Sequence, residues 1–417
     1  MPSEDVQRMT GMQPDFDVVI VGAGPAGSTT AKCLLDQHPD ARVLLVDKAH
    51  QFPRDKPCGG FVGAKVLEAF PYLQGREGNF VESESTLGVL HSPDLRHQVA
   101  GRTRMLAVLR STFDAYLMGL AQQAGAQIAT NRQVNEIRVD GSAATVGFTD
   151  GGRLTAFAVV GADGASSLVA RHSGLHEAWQ PDEICKTVMK EFPVEPDFIL
   201  EQCGPERPVH LYLQFNGLPG YAWFFPKAYH INVGVGCFAS APVKLMDYFR
   251  LLVRLLQRWQ MLPPAVTAED VKGDICPTRG PLSTTQTNRV LLVGDAAGFV
   301  SPATGAGIVP GMISGRLAAQ TLGEALKHQR FDAPFLSRYQ ERWEQQIGRF
   351  HAELWIQRIF LTRFCSLFIR IGQHDAQIRE IVSAAQAGGT LGSKGISMPR
   401  LLGRVAWDLL KGVLGQL

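Results

Sequence analysis

The feature that most constrains this chain is Gly22-Ala23-Gly24-Pro25-Ala26-Gly27, set between a short apolar run and a helical one. FDVVIV, Phe16 to Val21, reads as a buried strand. The run after the glycines reads as a helix to about Asp36, and Arg42 to Val46 as a second strand. The segment therefore predicts one βαβ unit with parallel strands. In such a turn Gly22 permits the tight bend, Gly24 lets backbone approach a pyrophosphate, and Gly27 lets the helix pack on the strand. Pro25 and Ala26 open the helix, whose unpaired N–H groups face the phosphates. Asp47 ends the next strand, twenty residues past Gly27 and followed by Lys48, where a carboxylate can accept ribose hydroxyls. This is a dinucleotide site, and the fingerprint alone does not separate FAD from NAD.

Later motifs favour a flavin. Gly294-Asp295-Ala296-Ala297-Gly298 follows the apolar strand VLLV, and Ser301-Pro302-Ala303-Thr304-Gly305-Ala306-Gly307 leads into a helix at Ile308. An aspartate directly after a strand can bond ribityl hydroxyls. A glycine-rich helix start offers N–H groups and positive dipole to the flavin N1–C2=O edge.

Composition narrows the class. Hydrophobic residues are 45% and charged residues 19% of 417, an ordinary globular balance with length for two or three lobes. With 41 basic against 39 acidic residues and no long basic run, nucleic acid is not an expected partner. Seven cysteines (33, 58, 185, 203, 237, 276 and 365) are scattered without a CxxC pair, and no HExxH spacing occurs. Neither a disulfide framework nor a metal site is expected. The first fifteen residues lack an apolar h-region, and no uncharged apolar run reaches about 18 residues. A reducing, cytoplasmic setting is expected, without a spanning helix.

The motifs together resemble a known superfamily. GxGxxG, GADG at Gly161 to Gly164 (with Asp163) and GDAAG occur in this order in flavoproteins with the para-hydroxybenzoate hydroxylase fold. Arg110, within VLRSTFDAYL, matches the arginine those proteins keep near FAD. Within the superfamily the chain is similar to the geranylgeranyl reductase family, through PRDKPCGG at Pro53 to Gly60 and GYAWFFP at Gly220 to Pro226. The latter resembles that family's YxWxFP motif, which lines the substrate cavity. Gly298 stands where many aromatic hydroxylases have histidine, and Ile371 to Val382 is similar to the reductase tail. The chain departs at Phe61, where the family usually has a third glycine after the cysteine.

The resemblance implies an α/β fold: a Rossmann-like FAD-binding domain, an antiparallel β-sheet substrate domain and a helical C-terminal region. The FAD-binding domain is expected at 15–83, 105–185 and 273–330. The substrate domain is expected at 84–104, where the pattern looks irregular, and at 186–272. Helices fill 331–417. The resemblance implies FAD contacts from Arg54, Cys58, Gly59, Arg110, Asp163 and Gly164, beside Gly22, Gly24, Pro25, Ala26, Gly27, Asp47, Lys48, Gly294, Asp295, Pro302, Gly305, Ala306, Gly307 and Ile308. NAD(P)H or another reductant supplies the electrons.

Three residues are candidates for catalysis. Cys58 is either a polar partner near the flavin or a small residue filling a tight turn. A bare thiol, with a free pKa of about 8.5, is a poor acid near neutrality and fits better as a group that orients water or substrate. Tyr221 and Trp223 are either core aromatics on a strand or cavity walls. The leading function is reduction of carbon–carbon double bonds in a hydrophobic, isoprenoid-type small molecule or lipid. The alternative is a monooxygenase, hydroxylase or halogenase, acting through a C4a-hydroperoxyflavin on a natural-product or protein substrate. A third reading is a flavoprotein that docks on a partner protein. The run Trp355 to Ile371, interrupted by Arg358, Arg363 and Arg370, and the last helix, with a polar stripe of Arg404, Asp408 and Lys411, either pack on the core or make peripheral membrane contact.

Overall fold

The computed structural model describes residues 13–360, 365–376, 379–380 and 383. In chain order β1 (Phe16–Val21) leads through α1 (Pro25–Gln37) to β2 (Val43–Val46), then β3 (Phe61–Gly63), α2 (Lys65–Ala69), β4 (Val81–His91) and β5 (Gln98–Val108). Next come α3 (Arg110–Gln123), β6 (Gln127–Ala129), β7 (Val134–Val139), β8 (Ala144–Phe148), β9 (Arg153–Gly161) and α4 (Leu168–His172). A meander follows: β10 (Ile184–Pro193), α5 (Pro196–Cys203), β11 (Val209–Leu213), β12 (Gly220–Pro226), β13 (His230–Phe238), α6 (Leu245–Arg258) and β14 (Lys272–Pro277). The elements of the described residues continue with β15 (Gln286–Thr287), β16 (Val290–Leu292) and the helices α7 (Ile308–His328), α8 (Ala333–Gln346), α9 (His351–Phe360) and α10 (Cys365–Gly372).

These strands form two sheets. The first runs β15-β16-β9-β1-β2-β6, with β8 and β7 added beyond β9. Its centre is parallel, with Val18 opposite both Val43 and Ala158. Val18, Val19 and Ile20 are fully buried, so both faces of β1 are covered, which is why the strand is apolar throughout rather than alternating. Close helix packing requires Gly315 on α7: a Cβ there would lie 2.4 Å from the Ala26 carbonyl oxygen of α1.

The second sheet runs β14-β10-β13-β12-β11-β4-β5-β3 and is antiparallel except between β11 and β4. Its strands alternate. Val233, Val235 and Cys237 of β13, with Ala222 and Phe224 of β12, join one core with Leu245, Phe249, Leu252 and Leu256 of α6. Each such large side chain stabilises the fold by about 2 kcal/mol relative to exposure. The odd positions of β12 and the even positions of β13 face the other way, toward the first sheet.

The stretch 84–104, which reads as irregular in sequence, is two eleven-residue strands. Register shifts between Val81 and Ser83 and between Ser85 and Leu87 interrupt the period-two alternation. Leu106 to Val108 end β5, and the helical run that follows begins at Arg110.

Ile356 of α9 and Cys365, Phe368 and Ile369 of α10 bury against Leu90, Val99 and Leu213, so this part of the tail packs on the second sheet. Trp355 remains 44% exposed. Arg404, Asp408 and Lys411 lie outside the described residues. No helix among the described residues is long and apolar enough to cross a membrane.

Candidate active site

A cavity of about 550 Å³ lies between the two sheets. At one end it meets the β1–α1 turn. Gly22 has φ +106°, and a Cβ there would sit 2.3 Å from the Ala162 carbonyl oxygen. A Cβ on Gly27 would lie 1.9 Å from the Gly22 carbonyl oxygen. Both positions need glycine. The helix start at Gly24 carries no side-chain cap, so its N–H groups have only the cavity and solvent to serve.

Asp47, at the end of β2, accepts the Ala23 N–H and the Ala49 N–H, both at 2.8 Å. Its carboxylate is thereby fixed beside the turn. Arg54 Nη2 is 3.9 Å from Asp47 and 3.5 Å from Asp114, and its Nε is buried without a partner.

The middle of the cavity meets the second motif. Asp295 lines it, and burial holds its carboxyl above the usual range against the opposing pull of Lys56 and Arg110. Gly305 to Ile308 bring the start of α7 to the same wall, again without a side-chain cap. Two uncapped helix N-termini therefore face one cavity, with a fixed carboxylate at a strand end and an arginine that has an unpartnered buried nitrogen. That donor set fits a dinucleotide carrying a diphosphate and a flavin.

The far wall is aromatic. Tyr221, Trp223 and Phe225 are the cavity-facing residues of β12, and Phe61 packs edge-on to Phe225 with centroids 5.2 Å apart. Trp223 lies across β13 over Gly234, where a Cβ would be 2.1 Å from the indole. Tyr221 donates its hydroxyl to the Thr304 carbonyl at 2.9 Å, bracing the loop before α7. Burial pushes that phenol far above its ordinary pKa. Phe61 thus joins an existing apolar wall. Gly60 before it must be glycine, since it has φ +71° and its Cβ would lie 2.3 Å from the Val108 carbonyl oxygen.

Cys58 lies between these regions. Its Sγ accepts the Gly60 N–H at 3.5 Å, and its carbonyl accepts the Asn232 Nδ2–H at 3.0 Å. Arg110 grips Asp114 through two hydrogen bonds of 2.8 Å. Burial works against the Arg110 charge, but Asp114 and then Cys58 outweigh it and raise the guanidinium further. The loop before Cys58 is tied to β14 by ion pairs from Lys56 to Asp274 and from Lys272 to Asp55.

Of the residues singled out by sequence, all but Gly27 and Pro302 line this one cavity. Gly27 acts through the turn. Pro302 instead gives its carbonyl to Gln357 on α9 at 2.8 Å. Asp163 lines the cavity, yet its carboxylate is engaged by Ser167 Oγ at 2.5 Å and by the N–H groups of Leu168 and Val169, starting α4. Sequence reasoning missed Asp114, Lys56 and Asp274, and also Asn232, Glu191 and Lys227 behind the wall. Asp114 had a direct signal, its i,i+4 spacing from Arg110. Among the described residues no cluster of three or more His, Cys, Asp or Glu side chains is placed to hold a metal ion.

Residues 15–226 match the FAD-binding domain family. Over 346 residues the chain is 31% identical to digeranylgeranylglycerophospholipid reductase 2 of Methanopyrus kandleri, covering 80% of this chain and 84% of that one. The chain belongs to the geranylgeranyl reductase family of FAD-dependent flavoproteins. A geranylgeranyl bacteriochlorophyll reductase-like protein from Thermoplasma acidophilum shares the reductase fold, with TM-score 0.75 and 20% identity over 89% of this chain and 96% of that one. A flavin-dependent brominase also aligns, with TM-score 0.70 and 17% identity over 95% and 99% of the two chains. The fold is thus common to reductases and halogenases. The family membership makes this reductase-type chain an FAD-dependent oxidoreductase.

Proposed function

We propose that this chain saturates carbon–carbon double bonds in the isoprenoid chains of a lipid, as the name of its Methanopyrus relative describes for that protein. The observation that carries the reading is the wall of Phe61, Tyr221, Trp223 and Phe225, an apolar aromatic surface of tilted rings suited to a methyl-branched isoprene chain rather than to a polar ring. FAD, when bound and reduced by NAD(P)H or another reductant, would supply the hydride for one alkene carbon, while a proton for the other carbon completes the conversion of the π bond to two C–H bonds.

The chain's own residues hold, orient and exclude. Asp47 and the start of α1 hold the adenosine and diphosphate end. Asp295 and the start of α7 hold the flavin end. Trp223 and Phe225 fix the lipid chain laterally and keep water from the reacting carbons. Tyr221 keeps its proton, because its hydroxyl is buried and committed to Thr304. The sulfur of Cys58 already accepts from Gly60, so its own S–H remains to orient a water or the alkene.

The test is anaerobic. Holoprotein reduced with dithionite regains its oxidised flavin absorbance when an unsaturated geranylgeranyl lipid is added, and not when the saturated lipid is added. Equal rates with both would remove the reading. Cys58→Ala and Cys58→Ser then separate its two roles: slowed reoxidation with normal FAD content assigns a part in the reaction, and unchanged rates in both leave packing only.

A further inference from the structure

We infer that Asn232, which lies behind the cavity wall, is a positioning residue that holds the two working surfaces of the site in register: the Cys58 loop and the aromatic strand β12. This rests on the reductase reading of the same cavity. Asn232 is 2% exposed, and its amide is used at both ends. Its Oδ1 accepts the Trp223 indole N–H at 2.7 Å. Its Nδ2 donates to the Cys58 carbonyl at 3.0 Å and to Glu191 Oε2 at 2.9 Å. The indole can only donate, and the carbonyl and carboxylate can only accept, so the amide has one workable orientation.

The register explains why this position carries the task. Asn232 on β13 stands opposite Glu191 on β10 and opposite Phe225 on β12. Trp223, two residues from Phe225 on the same face, is opposite Gly234. With no side chain at Gly234, the indole reaches over β13 and presents its nitrogen to Asn232. Glu191 is in turn paired with Lys227, a fully buried ammonium that also donates to the Val108 carbonyl at 3.1 Å. That ammonium sits under the Cys58-Gly59-Gly60 turn: a Cβ on Gly60 would be 2.7 Å from it, and one on Gly59 would be 2.7 Å from the Phe225 ring. One buried chain of hydrogen bonds therefore links the loop that carries the thiol to the ring that forms the wall. Such a chain holds a geometry only while every member is satisfied.

Two variants test the role. Asn232→Asp keeps an acceptor for Trp223 but sets a carboxylate against the Cys58 carbonyl and Glu191. Combining it with Glu191→Gln moves the amide to the other strand, restoring one carboxylate for Lys227 without restoring the donor to Cys58. Both are prepared as FAD-loaded protein, and Cys58 alkylation by iodoacetamide is followed by peptide mass mapping. This readout needs no substrate and survives any error in the substrate reading.

The expected result for both variants is Cys58 alkylation about tenfold faster than wild type. With an isoprenoid lipid, kcat is expected to fall about tenfold or more while KM moves by about twofold or less. The double variant should regain thermal stability but not kcat, with FAD content near stoichiometric in both variants. Wild-type alkylation rates in the double variant, or kcat recovered along with stability, would overturn the inference and leave Asn232 a packing residue. Should Asn232→Asp alone fail to fold, the double variant decides by itself.

Discussion

The parallel sheet addresses the cavity with backbone at strand ends, whereas the antiparallel sheet addresses it with side chains that cross from strand to strand. In the first, Gly24 and the uncapped starts of α1 and α7 present N–H groups, and Asp47 is fixed by bonds to its own turn. In the second, Trp223, Asn232, Glu191 and Lys227 form a relay spanning residues 191 to 232 and ending on Cys58. The difference teaches where each part can fail. Backbone sites fail all at once, when a Cβ is forced into them. A side-chain relay fails link by link, and can lose geometry without losing the cofactor.

The largest effect is expected in the first region. Gly27→Ala places a methyl group where only 1.9 Å separates it from the Gly22 carbonyl oxygen. The purified protein should contain no FAD, with a stability loss of about 3 kcal/mol or more; yellow protein of normal stability would break the comparison. In the second region, Lys227→Met removes a fully buried ammonium and leaves Glu191 unpaired. Denaturant unfolding should show a loss of about 2–3 kcal/mol, since Glu191 is partly exposed, while FAD content stays near stoichiometric. Loss of FAD on this change would mean the two regions are not separable.

Acid sharpens the contrast further. His91 and His210 share a hydrogen bond of 2.9 Å in the second sheet, and burial lowers their pKa values to about 4 and about 3, with His91 also opposing charge on His210. Histidines depressed in the folded state stabilise it above their ordinary pKa of about 6.5, and that stability is lost as pH falls toward 4. Between those limits the protein should lose about 3 kcal/mol or more beyond what a His91→Gln/His210→Gln variant does. Parallel pH curves would contradict the assignment.

A smaller change isolates the wall. Gly234→Ala pushes a methyl group into the Trp223 ring and should cut kcat/KM by about tenfold with FAD content unchanged. The smallest effect concerns Glu82 and His230. Burial would raise the Glu82 carboxyl, but the His230 hydrogen bond, the Tyr229 N–H and the nearby positive charges together leave it lowered, and the same hydrogen bond raises the imidazole pKa. The pair stabilises while both are charged, so Glu82→Gln should cost about 0.5 kcal/mol between roughly pH 5 and 6.5 and less as pH rises through the imidazole range. A cost that grows with pH would reverse the sign assigned here.

The same contrast explains what the sequence disclosed. A βαβ turn is local: its glycines, strand and terminal carboxylate fall within residues 16 to 47, and each has a reason tied to its neighbours in sequence. The GDAAG turn is local too. Asn232 was invisible because its partners are 9, 41 and 174 residues away. One clue was present, since NVGVG places glycine at alternate positions of a strand, which marks a close approach from outside it. The two bulges in β4 hid a long strand behind a broken alternation. Asp163 lies in the GADG motif and lines the cavity, yet its carboxylate starts α4, because motif position specifies the turn and not the partner of every side chain in it.

The most direct test of the central claim is mass analysis of a geranylgeranyl glycerophospholipid incubated with reduced holoprotein, once under nitrogen and once in air. The account predicts product heavier in steps of two hydrogens under nitrogen, with no oxygen added in either gas. Unchanged lipid under nitrogen together with an oxygenated product in air would contradict it and make the enzyme a monooxygenase.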